Sequence, residues 1–85
     1  VLKIVNEKGL HARASAKFVE VVEAHDAAAE VTKDGMTVSG DSIMGLLMLA
    51  ASRGTSIEVE TSGTEAEVLA GALQALVANR FGEDR

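Results

Sequence analysis

Ala29-Glu30-Val31-Thr32-Lys33-Asp34-Gly35-Met36-Thr37-Val38-Ser39-Gly40 decides the architecture of this chain. Short alternating runs flank Asp34-Gly35, a dipeptide favoured by the tight hairpin turn that needs positive φ at both positions. The stretch predicts strands over Ala29–Lys33 and Met36–Gly40, folded back on one another. The rest is read outward from this hairpin.

Upstream, Leu2-Lys3-Ile4-Val5-Asn6 alternates as a strand with Leu2 and Ile4 inward, and Glu7-Lys8-Gly9 breaks it. Ala12 to about His25 predicts a helix, because Ser15, Phe18, Val19 and Val22 share one face. Downstream, Ser42 opens a second helix through about Ala51, closed by Arg53-Gly54. This helix sets Ile43, Leu46, Leu47 and Ala50 toward the core and leaves Met44 and Met48 on its flank. Ile57–Thr61 alternates cleanly as a strand. Thr64–Phe81 is the longest helix, with Leu69, Ala72, Leu73, Leu76 and Val77 as its buried stripe and Thr64/Glu67 as a capping box. The order βαββαβα predicts an α+β fold. Its economical packing is an open-faced β-sandwich: a four-stranded antiparallel sheet covered on one face by three helices. The other face stays wet, which suits Glu58 and Glu60.

Composition narrows the function. At 85 residues the chain is one domain's worth. A domain of that size buries only roughly 60–65% of the surface of its unfolded chain. With no cysteine, disulfides and thiolate-bound metals are excluded. A net charge of −5 argues against binding a nucleic-acid backbone, which calls for a basic face. No leader is read at the start, and the longest apolar run, Ile43–Ala51, falls short of the roughly 20 residues of a membrane span. The chain is expected to be soluble and cytoplasmic, with neither nucleic acid nor membrane as a partner.

Chemistry concentrates at Gly9-Leu10-His11-Ala12-Arg13-Ala14-Ser15. His11 falls where the first helix starts, and the unpaired N–H groups of a helix start make a ready anion site. The positive end of the dipole also disfavours protonating a nearby imidazole, leaving a ring nitrogen as a nucleophile. Arg13 is badly placed for helix stability, which makes sense if an anion visits, since guanidinium grips phosphate oxygens well. Gly9 lets the backbone turn tightly beside His11. The bland reading is a cap that contains histidine, with His-x-Arg arising by chance.

Gly9-Leu10-His11-Ala12-Arg13, after a strand and opening a helix, resembles the active-site signature of the HPr family. These are the small phosphocarriers of the phosphoenolpyruvate-dependent phosphotransferase system. The likeness covers residues 1–85 as one HPr-like domain, including the Ser42-Ile43-Met44 helix start and Gly54 before the last strand. Leu46-Leu47-Met48-Leu49 and Ile57-Glu58-Val59-Glu60 are most similar to the nitrogen-related (NPr-like) branch. The resemblance implies that His11 accepts a phosphoryl group at Nδ1 from Enzyme I and passes it to an EIIA-type protein. Arg13 and the backbone of Ala12, Arg13 and Ala14 would hold the phosphate. The chain would then be a carrier and not an enzyme, a monomer needing no cofactor and no metal. Other readings stay open on the residues: an HPr-like regulatory module never phosphorylated, or an acidic ligand-binding α/β domain.

One departure stands out. The family usually has proline after the arginine, and here the residue is Ala14, which adds an N–H expected to point at the anion site. Ser42 reads first as a plain N-cap. The resemblance adds a regulatory role, because the matching serine of some members is phosphorylated by HPr kinase/phosphorylase. The basic residue that often follows three positions later is Gly45 here. Met44, Leu47 and Met48 form an apolar patch that the resemblance assigns to docking Enzyme I and EIIA. His25, at a helix C-terminus, complements the dipole, and Glu20 and Glu23 read as a solvated face.

Overall fold

The computed structural model describes residues 1–85. Its elements are β1 (Leu2–Lys3), α1 (Ala12–Glu23), β2 (Ala28–Lys33), β3 (Met36–Ser39), α2 (Ile43–Met48), β4 (Ser56–Ser62) and α3 (Ala66–Ala78). A short 3-10-type turn over Arg80–Gly82 follows α3. The four strands form one sheet of order β1-β4-β2-β3, every neighbour antiparallel.

The hairpin forms where the sequence placed it. Asp34 (φ 51°) and Gly35 (φ 82°) both turn left-handed, and Lys33 pairs with Met36 across them. Val31 then lies between Val38 and Val59. Val31, Ile57 and Ile4 are fully buried beneath the helices. The opposite face carries Glu30, Glu58 and Glu60 in water. The helical layer contributes Phe18, Val19 and Val22 from α1, Leu46 from α2, and Leu69, Leu73 and Val77 from α3. Both phenylalanines are fully buried.

Four local expectations change. First, β1 is shorter than Leu2–Asn6, although Ile4 N–H still donates to Thr55 O and Gly54 N–H to Ile4 O. Second, α2 ends at Met48, before Ala51. Ala50 turns left-handed (φ 51°) there, which swings Leu49 and Ala51 into the core in place of Ala50. Ile43, in the first turn, stays 40% exposed. Third, the Thr64/Glu67 capping box does not form. Glu65 occupies the N-cap and its Oε1 accepts the N–H of Asp26, while its own N–H donates to Asp26 O. A link to the end of α1 has replaced local capping. Fourth, α3 stops at Ala78, and Phe81 enters the core from the turn beyond it.

Candidate functional site

The backbone before α1 is fixed by Gly9. Its φ of +67° favours glycine, and a Cβ there would stand 2.5 Å from the Ala51 carbonyl oxygen. The close approach lets Leu10 N–H donate to Ala51 O at 2.9 Å. This bond ties the residue before His11 to the segment that follows α2. Asn6, fully buried, donates from Nδ2 to Gly9 O at 2.8 Å and holds the turn from below.

His11 is then the N-cap of α1, with extended backbone (φ −77°, ψ −175°). Its carbonyl accepts the Ser15 N–H at 2.8 Å, and the Ser15 hydroxyl donates to Leu10 O. The ring itself caps the helix: Nδ1 accepts the Arg13 N–H at 3.3 Å. An acceptor at that position carries a lone pair and no proton, so Nδ1 faces the helix start as a base. The imidazole keeps 27% of its side-chain surface open. Ala14 N–H donates to no group of the protein, and Ala14 is fully buried, whereas Ala12 and Arg13 are exposed. The guanidinium of Arg13 forms no ion pair. It borders a cleft of about 500 Å³ shared with Lys8, Lys17 and Glu83. The arrangement brings a ring nitrogen with a lone pair, helix amides and a free cation to one place, the features an anion site needs.

The other ring nitrogen has a partner that sequence reading missed. Nε2 of His11 is hydrogen-bonded to Oε2 of Glu83, whose Oε1 accepts the Asn6 Nδ2–H at 2.9 Å. Only 15% of the Glu83 side chain is open to solvent. Burial pushes its carboxyl up, but the Asn6 amide, the His11 ring and Lys8 outweigh this and hold it below the ordinary value. Lys17 Nζ donates to Phe81 O at 2.7 Å, steadying the turn that brings Glu83 in. Seventy-two residues separate His11 from Glu83. No local pattern marks such a pair; the only signal is an acidic residue after the last apolar anchor, Phe81.

The remaining candidates make no hydrogen bond to the imidazole. Ser42 caps α2, its Oγ accepting the Gly45 N–H at 3.1 Å. A Cβ on Gly45 would stand 3.0 Å from Val38 Cβ, so α2 lies close on β3 at that point. Met44 and Met48 are 69% and 65% exposed, and Leu47 is half-buried. His25 donates from Nδ1 to Val21 O at 2.7 Å, a helix-end contact far from the site.

Comparison with known proteins agrees with this geometry. The family described as "PTS HPr component phosphorylation site" matches residues 1–79. Phosphocarrier protein HPr of Neisseria meningitidis (serogroup A) is 46% identical over 82 residues, covering 96% of this chain and 92% of that protein. Phosphocarrier protein NPr of Escherichia coli is 36% identical over 84 residues, covering 98% and 93%. The crystal structure of HPr-C-His from Thermoanaerobacter tengcongensis superposes with a TM-score of 0.93 at 34% identity, covering 99% of this chain and 94% of that one. Likeness in both sequence and backbone spans the turn and helix start that carry His11 and Arg13, and the chain belongs to the HPr family, the phosphocarriers of the phosphotransferase system, which are not themselves catalysts.

Proposed function

We propose that His11 accepts a phosphoryl group at Nδ1 from the phosphohistidine of Enzyme I and delivers it to a histidine of an EIIA-type protein. The observation that carries this reading is the bond from Arg13 N–H to Nδ1, which aims an unprotonated nitrogen at the helix start. Phosphoryl transfer asks a protein for position and charge stabilisation more than for covalent machinery. Position comes from the Gly9 turn and the cap. Charge stabilisation comes from Arg13 and from the amides of Ala12, Arg13 and Ala14, with the Arg13 N–H passing from Nδ1 to a phosphate oxygen once phosphorus occupies the nitrogen.

Partners dock on α2 in this reading. Met44, Leu47 and Met48 give an adaptable apolar surface, and the Leu10–Ala51 bond sets the end of that helix beside the nucleophile. The carrier works as a cytoplasmic monomer, and no helix of the chain is long and apolar enough to cross a membrane. Where the cell holds an HPr kinase/phosphorylase, Ser42 is its target. A phosphate at this helix start is tolerated locally and acts through charge on the docking partner.

The test mixes the protein with Enzyme I and phosphoenolpyruvate and follows acid-labile phosphate. Label on the wild type that disappears in His11→Ala supports the carrier. No label on the wild type would put the unphosphorylated binding module ahead.

A further inference from the structure

The chain after α3 is built against local preference. Arg80 (φ 56°), Phe81 (φ 55°) and Gly82 (φ 79°) are consecutive left-handed residues, a conformation that side chains with a Cβ rarely adopt. Surrounding structure holds them there. Phe81 is sealed in the core, and Lys17 Nζ donates to its carbonyl. Asn6 spends both amide hydrogens, one on Gly9 O and one on Glu83 Oε1, and its buried Oδ1 is left with no donor. Flipping the amide would set its oxygen against two acceptors, so this orientation is fixed. Strained backbone and an unsatisfied buried atom are features that persist at working sites, where their cost is offset elsewhere. What they jointly deliver is one carboxylate oxygen to one ring nitrogen, Nε2 of His11.

We propose that Glu83 is a positioning residue for phosphoryl transfer at His11; this rests on the carrier reading above. By accepting the Nε2 hydrogen, its carboxylate selects the neutral tautomer whose Nδ1 lone pair faces the helix start. That lone pair attacks phosphorus of a protonated phosphoimidazole donor. The Nδ1–P bond forms as the donor's N–P bond breaks, and the donor nitrogen keeps the bonding pair. No proton moves. Nε2 keeps its hydrogen, and one unit of positive charge passes from the donor ring to the His11 ring, where the Glu83 carboxylate already lies. Onward transfer to the next acceptor runs the same exchange in reverse. Asn6 supports this indirectly, by holding the carboxylate.

The experiment compares the full chain with Glu83→Gln, which removes the charge and leaves one oxygen to accept from either His11 or Asn6, and Glu83→Ala, which removes both acceptors. Thermal melts establish that each variant is folded. Ring 15N shifts of the unphosphorylated proteins, which need no donor, are expected to show Nε2–H in the wild type and a tautomer mixture in Glu83→Ala. With Enzyme I and phosphoenolpyruvate, Glu83→Gln should accept phosphoryl groups roughly tenfold more slowly at saturating Enzyme I, with an unchanged half-saturating concentration. Glu83→Ala should be slower still. Variants that transfer as fast as the wild type would overturn the positioning role alone, whereas a wild-type ring carrying its proton on Nδ1 would overturn it together with the Arg13–Nδ1 bond on which the carrier reading rests. A wild type that takes up no phosphoryl group overturns the carrier reading, and the transfer role with it.

Discussion

In the carrier reading proposed above, His11 serves two functions with opposite demands at a single residue. As N-cap it satisfies Arg13 N–H through Nδ1, and as nucleophile it must surrender that bond when phosphorus arrives. Arg13 shows the same tension: a cation in the first turn opposes the helix dipole by about 0.3–1 kcal/mol. Arg13→Ala should therefore hold or slightly raise the urea midpoint while lowering the phosphoryl acceptance rate about a hundredfold, the scale of losing one charge-stabilising donor. An unchanged rate would remove the guanidinium from the site. Glu83 gives a pH prediction. Its carboxyl is depressed in the folded state below the ordinary 4.5, so its contribution to stability is fully present above that value. The contribution disappears as pH falls through the depressed value. Wild type and Glu83→Gln should have distinct denaturation midpoints above pH 4.5 that converge in more acidic buffer. A gap that persists in strong acid would contradict the depressed carboxyl. The placement of His11 and Arg13 at the start of α1 was legible in sequence because they share one short motif with the turn that presents them. Glu83 and Asn6 were not, since their roles arise only when the end of the chain packs beside its beginning.

Among the elements, α2 departs furthest from its periodicity. A helix of six residues has too few turns to bury a full stripe, and only Leu46 is fully enclosed within it. The sequence pattern correctly left Met44 and Met48 outside. It assigned Ile43 and Ala50 inward because an uninterrupted helix would place them there, and the left-handed Ala50 ends that register. Hairpin, strand order along the chain and the inner face of α1 were all legible, because each rests on local alternation or on a turn with a strict φ requirement. Capping of α3 was not: Glu65 bonds to Asp26, 39 residues away, in place of the local Thr64/Glu67 box. Met48→Asp should weaken Enzyme I binding at least tenfold, measured by calorimetry, with an unchanged thermal midpoint; loss of folding would place Met48 in the core. Gly9→Ala sets a Cβ against the Ala51 carbonyl in a left-handed conformation, and should cost about 1–3 kcal/mol in chemical denaturation. Wild-type stability in that variant would contradict the tight turn beneath His11.

At the scale of the whole molecule, the sheet and its helices bring three stretches to one point, the last of them distant in sequence from the other two. The turn after β1 supplies Asn6 and Gly9, the start of α1 supplies His11 and Arg13, and the chain after α3 supplies Glu83. The core joins the same three stretches, with Ile4, Phe18 and Phe81 all fully enclosed in it. Packing and site geometry are therefore one arrangement, which sets the His11 ring between the Arg13 amide and the Glu83 carboxylate. The central claim is that Nδ1 of His11, facing the helix start, is the atom that takes phosphorus. Nitrogen NMR of the 15N-histidine protein, recorded after phosphorylation by Enzyme I and phosphoenolpyruvate, tests it most directly. Phosphorus coupled to Nδ1 of His11 is the predicted result. Phosphorus on Nε2, or on His25, would contradict it.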